Sequence, residues 1–189
     1  LALAHLDDID TEHELMWRLA RREAYDAVSA LVQATGRSLV EPRAVRPPLA
    51  LLEQLQGHSY QLMGQLSAVK SMLLLRREQL QFDQISEPIK LASACIQGIL
   101  TLSAPLPPGT GRPATPDNSA VEAALPAVPE ALPDPFEQDV SPWLLRRLHL
   151  SIELAERVRG NAQDVLAALA STSAPAHRHN PLPPATPTP

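Results

Sequence analysis

A chain of 189 residues with a net charge of −5, 44% hydrophobic but only 3% aromatic, has too few β-branched and aromatic side chains for a substantial sheet and no basic surplus suited to nucleic acid. Its 20 prolines fix φ and remove amide donors, which denies helix and sheet alike to the two stretches where they crowd, 105–135 and 175–189. The single cysteine, Cys95, excludes an internal disulfide and a cysteine-based zinc site and fits a reducing compartment.

The rest of the chain is rich in Leu, Ala, Gln, Glu and Arg, all good helix formers. This composition predicts an all-α fold: an antiparallel bundle of four long amphipathic helices with a disordered proline-rich insertion and tail. No apolar run approaches the ~18 residues that a membrane span needs. The opening Leu1-Ala2-Leu3-Ala4-His5 has no Met, basic n-region or cleavage site, so it reads as a cut through a longer chain and not as a signal peptide. The Pro/Thr-rich end reads as a natural terminus.

After a frayed start over 1–10, a first helix is expected from Thr11, where Thr11 and Glu14 form a capping-box pair. Trp17, Ala20, Ala24, Ala27, Leu31 and Ala34 recur at spacings of three and four and predict its inner face. Pro42 restricts Glu41 and ends it. Pro47-Pro48 opens a second helix that carries Leu52, Leu55, Ser59, Leu62, Leu66, Val69, Leu73 and Leu80 at near-heptad spacing, broken only at Arg76. Extending from Pro48 to Gln81, it would be about 50 Å long at ~1.5 Å per residue, with Leu62, Leu66 and Leu73 at the centre of the core. Gly57 and Gly64 cost it about 1 kcal/mol each relative to Ala, a cost that close packing or a bend would justify.

Ser86-Glu87-Pro88 predicts the start of a third helix, striped by Ile89, Ala92, Ile96, Ile99 and Leu100 and closing near Ser103. These three helices form one part of the bundle, 11–103, and their short connections favour antiparallel neighbours. Residues 104–140 hold nine prolines, one basic and six acidic groups, and predict a disordered insertion dispensable for folding. Ser141-Pro142 opens a fourth helix over 141–171 with Leu144, Leu148, Ile152, Ala155, Val158, Ala162, Val165 and Leu169 on its stripe. A disordered tail, 172–189, follows.

Few residues suggest chemistry. His5, Asp7, Asp8, Asp10 and His13 are the densest set of potential metal ligands, but they lie at a frayed start and a helix cap, where acids are expected anyway. His177 and His179 sit in the proline-rich tail. His58 and His149 flank helix stripes without an acidic partner nearby in sequence, and Cys95 reads as a small buried apolar residue. Gly109 and Gly111 follow no strand, and no phosphate loop, nucleophile elbow or zinc-protease motif is present. The sequence therefore predicts no catalytic residue, no cofactor and no metal. Glu14/Arg18 and Glu153/Arg157 read as helical i,i+4 pairs. The arginine pairs Arg21-Arg22, Arg76-Arg77 and Arg146-Arg147 are candidate contacts for anionic lipid head groups or a partner, or else solvated helix faces.

Arg21-Arg22-Glu23-Ala24-Tyr25-Asp26-Ala27, followed by Ala30-Leu31 and Glu41-Pro42, resembles the cytosolic C-terminal region of the fusaric-acid-resistance (FUSC) family of bacterial inner-membrane, efflux-type proteins. In that family an Arg-Arg-x-Ala-x-x-Ala helix ends near Glu-Pro, and a long helix with a Tyr and a Leu-Ser-Ala segment follows, similar to Tyr60 and Leu66-Ser67-Ala68. The resemblance spans residues 11–80, and 143–169 is compatible with the family's closing helix; the proline-rich insertion and tail depart from it. It implies a cytoplasmic segment attached to a membrane-embedded remainder of the same protein, homo-oligomeric through the full-length protein, with a role in assembly or regulation of transport. It transfers no substrate-site residue. The alternative from a different class is a free-standing helical adaptor whose proline-rich segments are ligands for other modules.

Overall fold

A computed structural model describes residues 2–42, 46–101, 125–129, 134 and 139–173, with side chains described between residues 12 and 171. Among these residues all regular structure is helical: α1 (Ala2–Ser38), α2 (Leu49–Leu75), a 3₁₀ turn (Arg77–Gln79), α3 (Phe82–Leu100) and α4 (Ser141–Ser173). The all-α bundle expected from composition is what forms. The tail beyond residue 173 and most of the insertion lie outside the described residues.

α1 begins at Ala2, so Thr11 lies inside the helix and not at its N-terminus, and Glu14 acts elsewhere. Its inner face also differs from the expected stripe. Trp17, Ala24 and Leu31 are half-buried together with Glu14, Val28 and Thr35, whereas Ala20, Ala27 and Ala34 are exposed. Those three alanines follow one another at intervals of seven, and that row sits off to one side of the face the helix turns inward. α1 ends at Ser38, where Leu39, Val40 and Glu41 donate back to the carbonyls of Gly36, Arg37 and Ser38. The Arg46 guanidinium then donates to the carbonyls of Leu39 and Glu41 at 2.7 and 2.9 Å, supplying partners that a helix C-terminus lacks.

α1 and α2 run antiparallel. Gln56 Nε2 donates to Thr35 Oγ1 at 2.9 Å, the Tyr25 and Tyr60 rings meet tilted with centroids 6.4 Å apart, and Lys70 meets Glu14. α2 keeps the expected stripe, with Leu52, Leu62 and Val69 buried and Leu55, Ser59, Leu66 and Leu73 half-buried. It stops at Leu75, shorter than expected, at the point where Arg76 breaks the heptad series. Leu80 is still buried, but it belongs to the connection after the 3₁₀ turn.

Gly57 and Gly64 support no close approach, because a Cβ at either position would meet nothing within 4 Å. Both are exposed. Gly57→Ala and Gly64→Ala should therefore each raise stability by roughly 0.5–1 kcal/mol. A thermal melt of the double variant checks this, and a fall in melting temperature would contradict it.

α3 starts at Phe82, four residues before the Ser86 signal, and Pro88 lies inside it, buried. Proline at this depth loses its bond to the Gln84 carbonyl and its ring crowds that carbonyl, while the ring itself lies on the buried face with Ile85, Ala92, Ile96 and Ile99. Cys95 is buried among them, as expected, while Leu100 is exposed.

The largest departure concerns which helices are neighbours. α4 packs extensively on both α2 and α3, which scarcely touch each other directly. α4 thus fills the middle position that short connections had assigned to α2 and α3 themselves. It runs antiparallel to α2, with Asn161 beside His58 and Arg147 beside Gln65. Its buried residues cover a wide arc: Leu144, Leu145, Leu148, Ser151, Ile152, Leu154, Ala155 and Val165. An arc this broad serves two partners, whereas a single seam would need only a narrow stripe.

The start of α4 is tied to the connection between α2 and α3. Val140 N donates to Gln79 O at 3.0 Å, Gln81 N donates to Ser141 Oγ at 2.9 Å, and Ser141 N donates to Asp139 Oδ1 at 2.9 Å. The insertion also contributes to the core, contrary to its expected dispensability. Leu125 and Val140 are only 4% and 3% exposed, and Val128 packs against the same cluster. Proline bars a segment from helix but not from burying an isolated leucine.

Candidate functional site

Three places gather side chains with chemical potential. The first is the polar seam between α2 and α4. His58 Nδ1 lies 2.7 Å from Asn161 Oδ1, and Asn161 Nδ2 donates to Gln54 Oε1 at 3.3 Å. Since the Asn161 amide nitrogen faces Gln54, its oxygen is the acceptor, and His58 carries its proton on Nδ1. The groove beside this pair has a volume of about 530 Å³ and is lined by His58, Glu153, Glu156, Arg157, Gly160, Asn161 and Asp164. Further along, Arg147 Nη1 donates to Gln65 Oε1 at 2.9 Å. These bonds fix the register of two helices whose apolar stripes alone would permit sliding. The partner of His58 is an amide from a distant helix, which no spacing along α2 could reveal.

The second place is the α1–α2 contact at Glu14. Its carboxylate pairs with Lys70 and, at 2.9 Å, with Arg18, and the Lys70 ammonium lies 4.7 Å from the centre of the Trp17 ring. The bond from Lys70, and after it that from Arg18, holds the Glu14 carboxyl below the ordinary glutamate range. A carboxylate whose folded pKa is depressed adds stability above its unfolded pKa and loses it as pH falls through the folded value. Acidification through and below the ordinary glutamate range should therefore loosen α1 before the α2–α3–α4 core melts. Emission from Trp17 in a Trp143→Phe background reads this out. Simultaneous loss of Trp17 contact and total helicity would contradict it.

The third set is the arginine pairs, which the structure distributes instead of gathering. Arg21 lies over the Tyr25 ring at 5.5 Å and Arg22 pairs with Asp26 at 3.6 Å, both on α1. Arg76 donates to Gln79 at 2.9 Å and Arg77 lies over Phe82 at 5.8 Å, both just past α2. Arg146 is exposed near the start of α4, and its neighbour Arg147 is half-buried against Gln65. Arg147 therefore joins two helices, while Arg21, Arg22, Arg76, Arg77 and Arg146 remain exposed.

The side chains of His5, Asp7, Asp8 and Asp10, and His177 and His179, lie outside the described residues. Among the described residues no group of three or more His, Cys, Asp or Glu side chains is placed to hold a metal ion, and no helix is long and apolar enough to cross a membrane. His149 Nε2 sits 3.2 Å from the Pro126 carbonyl, where it holds the insertion against α4. Glu153 and Arg157 pair at 3.8 Å, as the i,i+4 spacing predicts.

Compared with known proteins, the chain matches no protein-family model, no curated protein and no solved structure.

Proposed function

We propose that this chain is the cytoplasmic helical domain of a bacterial inner-membrane protein of the aromatic-acid or fusaric-acid efflux type, serving its assembly or regulation without chemistry of its own. The observation that carries this reading is where the residues of the family resemblance lie. Tyr25, within the Arg-Arg-x-Ala-x-x-Ala segment, lies in a tilted ring contact with Tyr60 of the following helix, so the two halves of the resembling segment are neighbours. The exposed Arg76 and Arg77, at the end of α2, are suited to anionic head groups, where each basic residue near the surface contributes about 1 kcal/mol. The partners on this reading are the membrane-embedded remainder of the same protein and the lipid beside it.

Fractionation of cells expressing the gene with its natural upstream sequence tests the reading. The product should partition with the inner membrane and resist alkaline extraction. Recovery wholly in the soluble fraction would replace it with the free-standing adaptor. As a second arm, Arg76→Ala with Arg77→Ala should weaken co-sedimentation with phosphatidylglycerol vesicles. That pair should cost the fold under ~1 kcal/mol, because exposed charged contacts contribute little.

A further inference from the structure

α1 packs on α2, and none of its described side chains is buried. A short series of edge contacts holds it: Glu14 with Lys70, Lys70 over the Trp17 ring, Tyr25 against Tyr60, and Thr35 with Gln56. Each joins one side chain of α1 to one of α2. Nothing in these contacts requires the two helices to belong to the same copy.

The connection between the two helices is ill suited to turning the chain back. Pro42, Pro47 and Pro48 have φ fixed by their rings. Glu41, Arg46 and Pro47 each precede a proline and are biased to extended backbone. Arg46 clamps the turn through the carbonyls of Leu39 and Glu41. Its Nε–H, however, is buried with no acceptor among the described residues, and an unmet buried donor costs free energy. At the same place Leu39 and Val40 stand 54% and 89% exposed.

We infer that two copies of this chain exchange α1, so that α1 of each lies antiparallel on α2 of the other. The straightened connections cross at the two-fold axis, where Leu39 and Val40 of both copies cover one another and the Arg46 Nε–H regains water. The exchanged pair keeps every α1–α2 contact of the single chain, which makes swapping a low-cost route to a dimer. A strained connection invites it. The exchange is a property of this chain by itself and holds with or without a membrane-embedded remainder.

Paired charge reversal tests the inference. Glu14→Lys sets like charges against Lys70, and Lys70→Glu sets like charges against Glu14, so each variant alone holds α1 poorly. Unfolding the two together in urea and refolding them in equal amounts lets exchange place opposite charges at both contacts of a mixed pair. Native mass spectrometry should then show the mixed dimer well in excess of either self-pair. The parent 189-residue chain should sediment as a dimer over a concentration series. In an unexchanged dimer each α1 stays on its own α2, so mixing restores nothing and pairing is statistical. Leu39→Glu with Val40→Glu is the second variant: both positions are exposed in the single chain, so helicity should be unchanged while the dimer is lost. A parent monomer at every concentration, no excess of the mixed dimer, or a dimer indifferent to Leu39→Glu and Val40→Glu would each overturn the inference.

Discussion

Ile152→Ala should lower the unfolding free energy by about 2–5 kcal/mol, the range for truncating a fully buried aliphatic side chain in a core that relaxes only partly. Ile152 is 1% exposed and lies midway along the buried arc of α4, the helix on which both α2 and α3 pack. A cavity there removes contacts on two sides. Domains of this size have only about 5–15 kcal/mol in hand, so the variant should melt far below the parent. Leu66→Ala, at a half-buried site on α2, should cost distinctly less. Urea denaturation of both variants decides the order. Equal losses, or a larger loss at Leu66, would return the centre of the core to α2.

Replacing residues 104–140 with a Gly/Ser linker of similar reach should cost several kcal/mol, despite the prolines and the acidic charge. The replacement exchanges Leu125 and Val140 for residues that bury nothing, and each such side chain contributes about 1.5–3 kcal/mol by burial. It also removes the Asp139 carboxylate that accepts from Ser141 N and loosens the backbone that holds the residue-140 amide on Gln79 and the residue-126 carbonyl at His149. A linker that keeps Leu125, Val128, Asp139 and Val140 and replaces the remainder should restore most of the loss. If the full replacement leaves the melt unchanged, the insertion is not part of the core.

These two cases separate what was legible in the sequence from what was not. Helix class and the faces of α2 and α4 follow from periodicity, because a stripe at spacings of three and four has one buried solution. The end of α2 was misread: the series breaks at Arg76, where the helix stops, but the stripe resumes at Leu80 and led the expectation on to Gln81. The arrangement of helices was not, since periodicity says which face is buried but not what covers it. A signal was nevertheless present in α4. The apolar doublets Leu144-Leu145 and Leu154-Ala155, with Leu148 and Ile152 between, widen the stripe past what one neighbour requires. Leu125 gave no signal, because an isolated leucine among prolines has no period. Glu14 looked like a cap because Thr11 stood three residues before it, but its role comes from Lys70, 56 positions away. The seam at His58 was hidden for the same reason, since its partner Asn161 lies 103 positions on.

Native-state amide hydrogen exchange tests most directly the account of α4 as the centre and α1 as an outer, lightly held arm. Protection should be greatest along 144–158 of α4, close behind on the facing turns of α2 and α3, and lowest along α1, which should open without unfolding the rest. Protection of α1 equal to that of α4, or early exchange in the middle of α4, would contradict the arrangement.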